Sequence, residues 1–463
     1  MVDLNLSSVA ELAQAFRSAD LTPTAMAEAV VARIATTSEL NAFHHLDPEQ
    51  VRRDAAAATE RWRAGAPLSD LDGVPITLKD NIRRCGISMP SGTAVADPPV
   101  PEVNAPITDR CREQGLVVVG STTMPDWGML SSGTSSRHGI TPSAWGRALN
   151  AGGSSAGAGT AAAAGYGPLH IGSDIGGSIR LPAAWQGLAG LKPSAGLVPL
   201  DLPYLGRAAG PMTRTVADLA AAMAAIARPD VRDYSAQPHR PMDWARGWDP
   251  RGARIAVQLD GGSGADVEAP VRDAVRAAAD LFAAAGAEVV EIPGFTRPEV
   301  LAGIDAFWRA RSLGDLEQLS EADRAAILPY VARWCTGARG VDAARTVQNY
   351  QRFADLARAT RLGSADFDLV LSPVAPMATY AADQPMPVPD PDVPMAHISF
   401  TLPYNMSGQP AGTVNCATLG GGRFAGLQIA GAIGRDDLVV AAMRWYEAAR
   451  PAEQNPDWSA IAA

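Results

Sequence analysis

Lysine is almost missing from this chain. Of 39 basic residues among 463, only Lys79 and Lys192 are lysines; the other 37 are arginines. Alanine, at 87, is correspondingly abundant, which fits GC-rich codon usage. Codon bias explains the loss but not the two that remain. Arginine replaces lysine wherever only a positive charge is needed, yet it cannot give up its proton. A retained lysine therefore marks a candidate position for a neutral amine.

Other scarcities narrow the function further. The four cysteines, Cys85, Cys111, Cys335 and Cys416, form no CxxC and no Cys/His pair of zinc spacing, so they are read as free thiols of a reducing cytoplasm. Histidine numbers six and no HExxH occurs, which leaves a hydrolase without its usual base or metal ligands. No metal and no cofactor is implied. The start, MVDLNLSSVA, has no basic region before an apolar one, so no secretory signal is expected. No apolar run approaches the roughly 20 residues of a membrane span. Net charge is −10 with no dominant basic patch, which excludes nucleic acid as a partner. Apolar residues at 47% and charged residues at 19% describe a globular chain.

Periodicity predicts an N-terminal helical stretch over 1–65. Val9, Leu12, Ala13 and Phe16 recur at helical spacing after Ser7/Ser8. Helices are also expected over Pro23–Ile34, behind Thr22, and over Pro48–Ala64. GVPITLKD (73–80), LVVVGST (116–122), LHIGSD (169–174), RIAVQLD (254–260), AEVVEI (287–292), DLVLSP (368–373) and FAGLQIAG (424–431) read as strands. Helices are expected near 265–286, as three segments over 297–361, and over 436–449. Trp308, Trp334 and Tyr350 are read as packing residues, and Pro-rich 385–394 as a surface loop. This alternation predicts a single α/β domain over 1–463, with a mixed β-sheet core flanked by helices on both faces. Within it, 70–220 is the expected catalytic core, 230–365 a helical substrate-shaping region, and 366–463 the C-terminal part of the core.

The chemistry concentrates in Asn150–Ser194, where two Gly-Gly-Ser triplets end at Ser154 and Ser178, 24 residues apart. Glycine before serine permits unusual backbone angles and brings N–H groups close to a substrate, where they can form an oxyanion hole. Three readings compete. In the first, both triplets are structural turns. In the second, Gly153-Ser154-Ser155-Ala156-Gly157 is a G-x-S-x-G elbow with Ser155 attacking and His397 as base; RALNAGG before it, however, does not read as a buried strand. A G-x-G-x-x-A (Gly157, Gly159, Ala162) also lacks its strand. In the third, Ser178 attacks, a buried neutral Lys79 is the base, and the Ser154 hydroxyl relays the proton between them.

ITLKDN, GGSSAG, SDIGGSIRLPA and GLKPS together resemble the amidase signature family, with weaker similarity in GPMTRTVADL (210–219) and from Pro403 to Gly431. The resemblance implies a Ser–Ser–Lys triad of Lys79, Ser154 and Ser178, with a cis peptide before Ser154. It implies an oxyanion hole from the N–H groups of Ile175, Gly176, Gly177 and Ser178. Met129, Leu130, Ser131 and Ser132 would line the pocket, and Trp127 stands equally as pocket wall or core. Asp174, Arg180 and Gly153 are read as structural support. Lys192 has a place in the family pattern but no catalytic role, and Lys192→Arg is expected to stay active.

The implied reaction is hydrolysis of a linear carboxylic amide, on a small-molecule substrate. The resemblance allows a homodimer. Alternatives in the same family are a carbamate- or urea-type hydrolase and the glutaminase subunit of a tRNA-dependent amidotransferase. That subunit carries Ser-Leu-Asp-Gln shortly before Gly-Pro. Here Tyr204-Leu205-Gly206-Arg207-Ala208-Ala209 stands in that place.

Overall fold

Eleven strands form one sheet in a computed structural model that describes residues 3–238 and 240–461. In chain order they are β1 (Phe43–Leu46), β2 (Pro75–Lys79), β3 (Val117–Thr122), β4 (Leu169–Asp174), β5 (Ala189–Lys192) and β6 (Ala208–Thr213). Then follow β7 (Arg254–Val257), β8 (Glu288–Glu291), β9 (Leu369–Pro373), β10 (Ala411–Gly420) and β11 (Arg423–Gly431). Their spatial order is β1-β3-β2-β4-β6-β5-β10-β11-β9-β7-β8. β2 runs parallel to β3 and β4, and β7 parallel to β8 and β9. The remaining pairs are antiparallel, so the sheet is mixed.

Strands β2, β3, β4 and β9 are buried at every residue, which requires cover on both faces. Helices supply it. Ala156–Ala164 is buried at every position because its side chains are only methyls, hydrogens and one Thr hydroxyl. That small girth lets it lie against β2, β3, β4 and β6. Asp436–Ala449 packs on β10 and β11, and Ala269–Ala284 on β9, β10 and β11.

The N-terminal helices form where their caps predict. Ser8 and Glu11 make a reciprocal capping box on Val9–Ser18, and the Thr22 hydroxyl accepts from Ala25 N–H ahead of Pro23–Thr36. The region expected to hold three helices holds four: Pro298–Glu317, Glu321–Ala326, Pro329–Thr336 and Ala343–Gly363. The extra break has a local cause. Ser320 caps a six-residue helix, and Pro329, which lacks an N–H, opens a new one.

A second apolar core joins these helices to the catalytic region. It brings Ile304, Trp308, Trp334 and Phe353 together with Leu130, Leu181 and Trp185. Trp308 and Trp334 do pack, as expected, but they also face a cavity. Tyr350 is exposed, and its ring packs against Phe353 of its own helix and Phe307 of Pro298–Glu317. The Pro-rich loop is not purely superficial either, since Met386 and Pro394 turn inward.

Candidate active site

β2 and β4 are parallel neighbours in register, so both end on the same side of the sheet. Lys79 is the last residue of β2, and Ser173-Asp174 end β4. Lys79 is fully buried, and its Nζ donates to Ser154 Oγ at 2.7 Å and to Ser173 Oγ at 3.1 Å. Burial, and then the nearby Arg207 charge, pull the Lys79 ammonium from its ordinary 10.5 down to about 7. Near neutral pH this amine is therefore partly free of its proton. Asn81 Nδ2 donates to the same Ser173 hydroxyl at 3.1 Å. Ser173 and Asn81 escape the sequence patterns. The one signal for Ser173 is a serine beside Asp174 at the end of a strand.

Gly153–Ser154 is a cis peptide. A side chain at 153 has no room: a Cβ there would lie 2.5 Å from both Ser132 N and Ser132 O. Ser178 lies across the same cleft as Ser154. Its carbonyl accepts from Ser155 N–H at 3.2 Å, while among the described residues no hydrogen bond links the Ser178 and Ser154 hydroxyls.

The turn between Asp174 and Arg180 is held by its ends. Asp174 Oδ1 accepts from Gly177 N–H at 2.8 Å, and Oδ2 from Ile179 N–H at 3.1 Å. Arg180 grips both oxygens and also donates to Thr401 O, Gln428 Oε1 and Asn405 Oδ1. Burial alone would raise the Asp174 carboxyl. The Arg180 charge outweighs it and holds the group far below the usual carboxylate range.

These contacts correct one expectation. Gly177 does not present a free N–H to a substrate, because its left-handed φ of +124° turns the N–H onto Asp174. Ile175, Gly176 and Ser178 are the residues in the turn that keep exposed surface, and all three line a cavity.

Ser155 is not free to act as a nucleophile. Its Oγ donates to Ser173 O and accepts from Ser173 N–H, both at 3.2 Å, clamping the start of helix Ala156–Ala164 to β4. His397 is engaged elsewhere: its Nε2 lies 2.7 Å from Ser131 Oγ, and burial lowers its pKa to about 3. The elbow reading fails on both counts. Gly157, Gly159 and Ala162 lie inside the buried helix and leave no space for a dinucleotide.

Two cavities meet at Ser178. One, of about 630 Å³, is lined by Met129, Leu130, Trp308, Trp334, Met386 and His397, among others. It is chiefly apolar and contains Ser131; Ser132 is fully buried behind it. The other, of about 1230 Å³, is the more polar of the two and contains Ser154, Asn81, Arg83 and Arg207. Trp127, Gly128, Ile175 and Arg311 line both. Trp127 thus stands between the two cavities while also packing against the second apolar core. It holds φ +50°, with its N–H on the carbonyl of Ser91, itself at φ +51°. Such backbone costs about 1–3 kcal/mol per residue and collects at functional sites.

Lys192, the other retained lysine, is equally buried but points away from these cavities. Its Nζ donates to Pro193 O at 2.7 Å. Burial, and then the Arg180 charge, lower its ammonium to about 7 as well, against the opposing charges of Asp174 and of Asp436, which bonds Ser194.

Comparison with known proteins agrees with this arrangement. The family model described as Amidase matches residues 25–440. The chain is 33% identical over 488 residues to an acylamidase of Rhodococcus erythropolis, covering 100% of this chain and 99% of that one. It is also 33% identical to a glutamyl-tRNA(Gln) amidotransferase subunit of Chloroflexus aggregans, covering 93% and 94%. Its fold matches that of a bacterial aryl acylamidase with a TM-score of 0.88 at 24% identity, over 99% and 98% of the two chains. The chain belongs to the amidase family and is an amidohydrolase of the amidase signature type.

Proposed function

We propose that the chain hydrolyses a linear carboxylic amide through a Ser178 acyl-enzyme. The observation that carries this reading is the fully buried Lys79 amine, 2.7 Å from Ser154 Oγ and lowered to about 7, on the cleft that holds Ser178. Ser178 Oγ attacks the carbonyl carbon while its proton passes through Ser154 to Lys79. The N–H groups of Ile175, Gly176 and Ser178 stabilise the oxyanion. The C–N bond breaks as the relay returns the proton to the leaving nitrogen. Water, activated by the same relay, then cleaves the ester to the acid. Ser154 and Ser178 come within hydrogen-bond reach when substrate binds, as catalytic contacts commonly tighten in the complex. The cytoplasm fits the four cysteines, all of which are free thiols.

The test is turnover of a panel comprising an aliphatic amide, an anilide, a peptide amide, a carbamate and glutamine, with mass spectrometry of the trapped enzyme. An acyl adduct on Ser178 supports the reading. An adduct elsewhere, or turnover that survives in Ser178→Ala, sinks it. Similarity to the amidotransferase subunit favours a second reading, a glutaminase working with partner subunits. Turnover of glutamine alone, and only with those partners, would establish that one.

A further inference from the structure

The cleft beside Ser178 is basic, and of its cations only Arg207 enters the proposed chemistry, through its charge on Lys79. Three guanidinium groups, of Arg83, Arg207 and Arg311, face it. Arg83 is satisfied, since it pairs with Asp201 at 2.5 Å. The other two have no acid in ion-pair contact among the described residues. Among the described residues the Arg207 side chain makes one hydrogen bond, a long one, 3.4 Å to Asn81 O. Arg311 lies over the Tyr204 ring at 5.2 Å, and its Nε is buried without any acceptor. The remaining acid of the cleft, Asp315, is exposed at its rim. Burial and the charges of Arg83 and Arg311 push the Arg207 guanidinium below its ordinary value, against the opposing charge of Asp201. Arg207 and Arg311 are both half-exposed in the cleft and without an ion-pair partner among the described residues, which leaves their donors open to an anion.

The relay fixes which end of a substrate occupies this cleft. The group that returns the proton to the leaving nitrogen must lie beside that nitrogen, and Ser154 lines the polar cleft but not the apolar cavity. The leaving amine therefore lies on the side of Arg207, with Arg311 at the boundary between the two cavities. The acyl group lies in the apolar cavity between Met129, Trp308 and Trp334. Two planar forks of N–H donors can each take a pair of anion oxygens, and a carboxylate is the smallest organic group that offers such a pair.

We propose that Arg207 and Arg311 bind a carboxylate carried by the leaving amine, so that the preferred substrates are N-acyl amino acids with an apolar or aromatic acyl group. This rests on the amide-hydrolase reading above and names its substrate class. The products are the free fatty or arylacetic acid and an amino acid.

The experiment compares N-phenylacetylglycine with its neutral twin, N-phenylacetylglycinamide cleaved at the same phenylacetyl bond, and with N-phenylacetyltaurine. The wild-type enzyme is expected to favour the carboxylate over the neutral twin by roughly tenfold or more in kcat/KM, mainly through KM. Arg207→Gln and Arg311→Gln should each erase most of that ratio, and Arg311→Lys should restore part of it. Equal or better turnover of the neutral twin by wild type overturns the inference and leaves the amidase standing. So does a preference that persists in both Gln variants, or a taurine conjugate that outruns the glycine one. Failure to cleave any of the three, with no adduct on Ser178 from any amide, overturns the amidase reading and this inference with it.

Discussion

Asp174 and Arg180 form a two-pronged ion pair with no exposed side-chain surface: Arg180 Nε lies 3.0 Å from one carboxylate oxygen and Nη2 2.9 Å from the other. The same two oxygens hold the N–H groups of Gly177 and Ile179, so one carboxylate shapes the turn on both sides of Ser178. Asp174→Asn keeps the shape and removes the charge, leaving Arg180 buried and unpaired. Denaturant unfolding should show a loss of about 3–5 kcal/mol, and kcat should fall because the turn loosens. A variant within 1 kcal/mol of wild type, on the scale of about 0–1 kcal/mol typical of exposed pairs, and with unchanged kcat would show that the pair does not hold the turn.

Lys79 must be neutral to accept a proton. Its value of about 7 means that kcat/KM should rise with pH through about 7 and then level off. Lys79→Arg keeps a cation that cannot titrate, and its kcat should drop by about a thousandfold or more with the fold retained by circular dichroism. Near-normal activity in that variant would end the neutral-amine argument.

Lys192 predicts differently now that its surroundings are known. It contacts neither cavity, so turnover per folded molecule should persist in Lys192→Arg, as the sequence led one to expect. The stability should not persist. The side chain is fully buried with a single acceptor, the Pro193 carbonyl, and a guanidinium brings five donors and more volume. A melting temperature several degrees lower with unchanged kcat is the expected pair of results, of the order of 1–3 kcal/mol. An unshifted melting temperature contradicts the packing argument.

Acid should destabilise the protein through its buried histidines. His170 uses both ring nitrogens, Nδ1 at 2.9 Å from Thr77 Oγ1 and Nε2 at 3.0 Å from Gly167 O. Burial lowers its pKa to about 3, that of His397 also to about 3, and that of His138 to about 4. Between those values and 6.5 the unfolded chain takes up protons that the folded chain refuses, so stability falls as pH falls through that window. Thermal melts from about pH 7 to 4 should show this slope, and His170→Gln should flatten it. A melting temperature constant down to about pH 4.5 would contradict it.

Gly153 faces backbone, not a movable side chain. The Cβ of Gly153→Ala would also meet Leu130 O at 2.8 Å. The segment carrying Leu130 to Ser132 must therefore move, and with it the wall of the apolar cavity. Both kcat and stability should fall, each by more than for an Ala substitution on the open surface, for which about 0.5 kcal/mol is the usual range. Wild-type kinetics in this variant would mean that the wall yields without consequence.

Much of the sheet could be read from the chain because its strands are short apolar runs ended by turn residues. LHIGSD at 169–174 is β4, and DLVLSP at 368–373 contains β9. Lys79, Ser154 and Ser178 were legible because their neighbours, Gly-Gly and Asp, are chemically unusual. What escaped came from far away in sequence. Asn405 and Gln428 finish the coordination of Arg180 from the C-terminal part of the chain. Arg311 and Trp308 reach the cavities from a helix whose pattern shows little amphipathic bias to mark a buried face. His397 meets Ser131 across 266 residues. No local period encodes such meetings, because they are set by how the helical region folds over the edge of the sheet.

Both lysines are buried, and the surface consequently bears no side-chain amine; its positive charge rests on guanidinium groups. Activated esters and dialdehydes, which crosslink or label most proteins through surface lysines, find no such handle on the folded enzyme. Acylation of Lys79 or Lys192 then becomes a report that the interior has opened. Because guanidinium groups keep their charge where ammonium groups lose it, the surface also retains its cations in alkaline solution, where a lysine-rich protein would shed them.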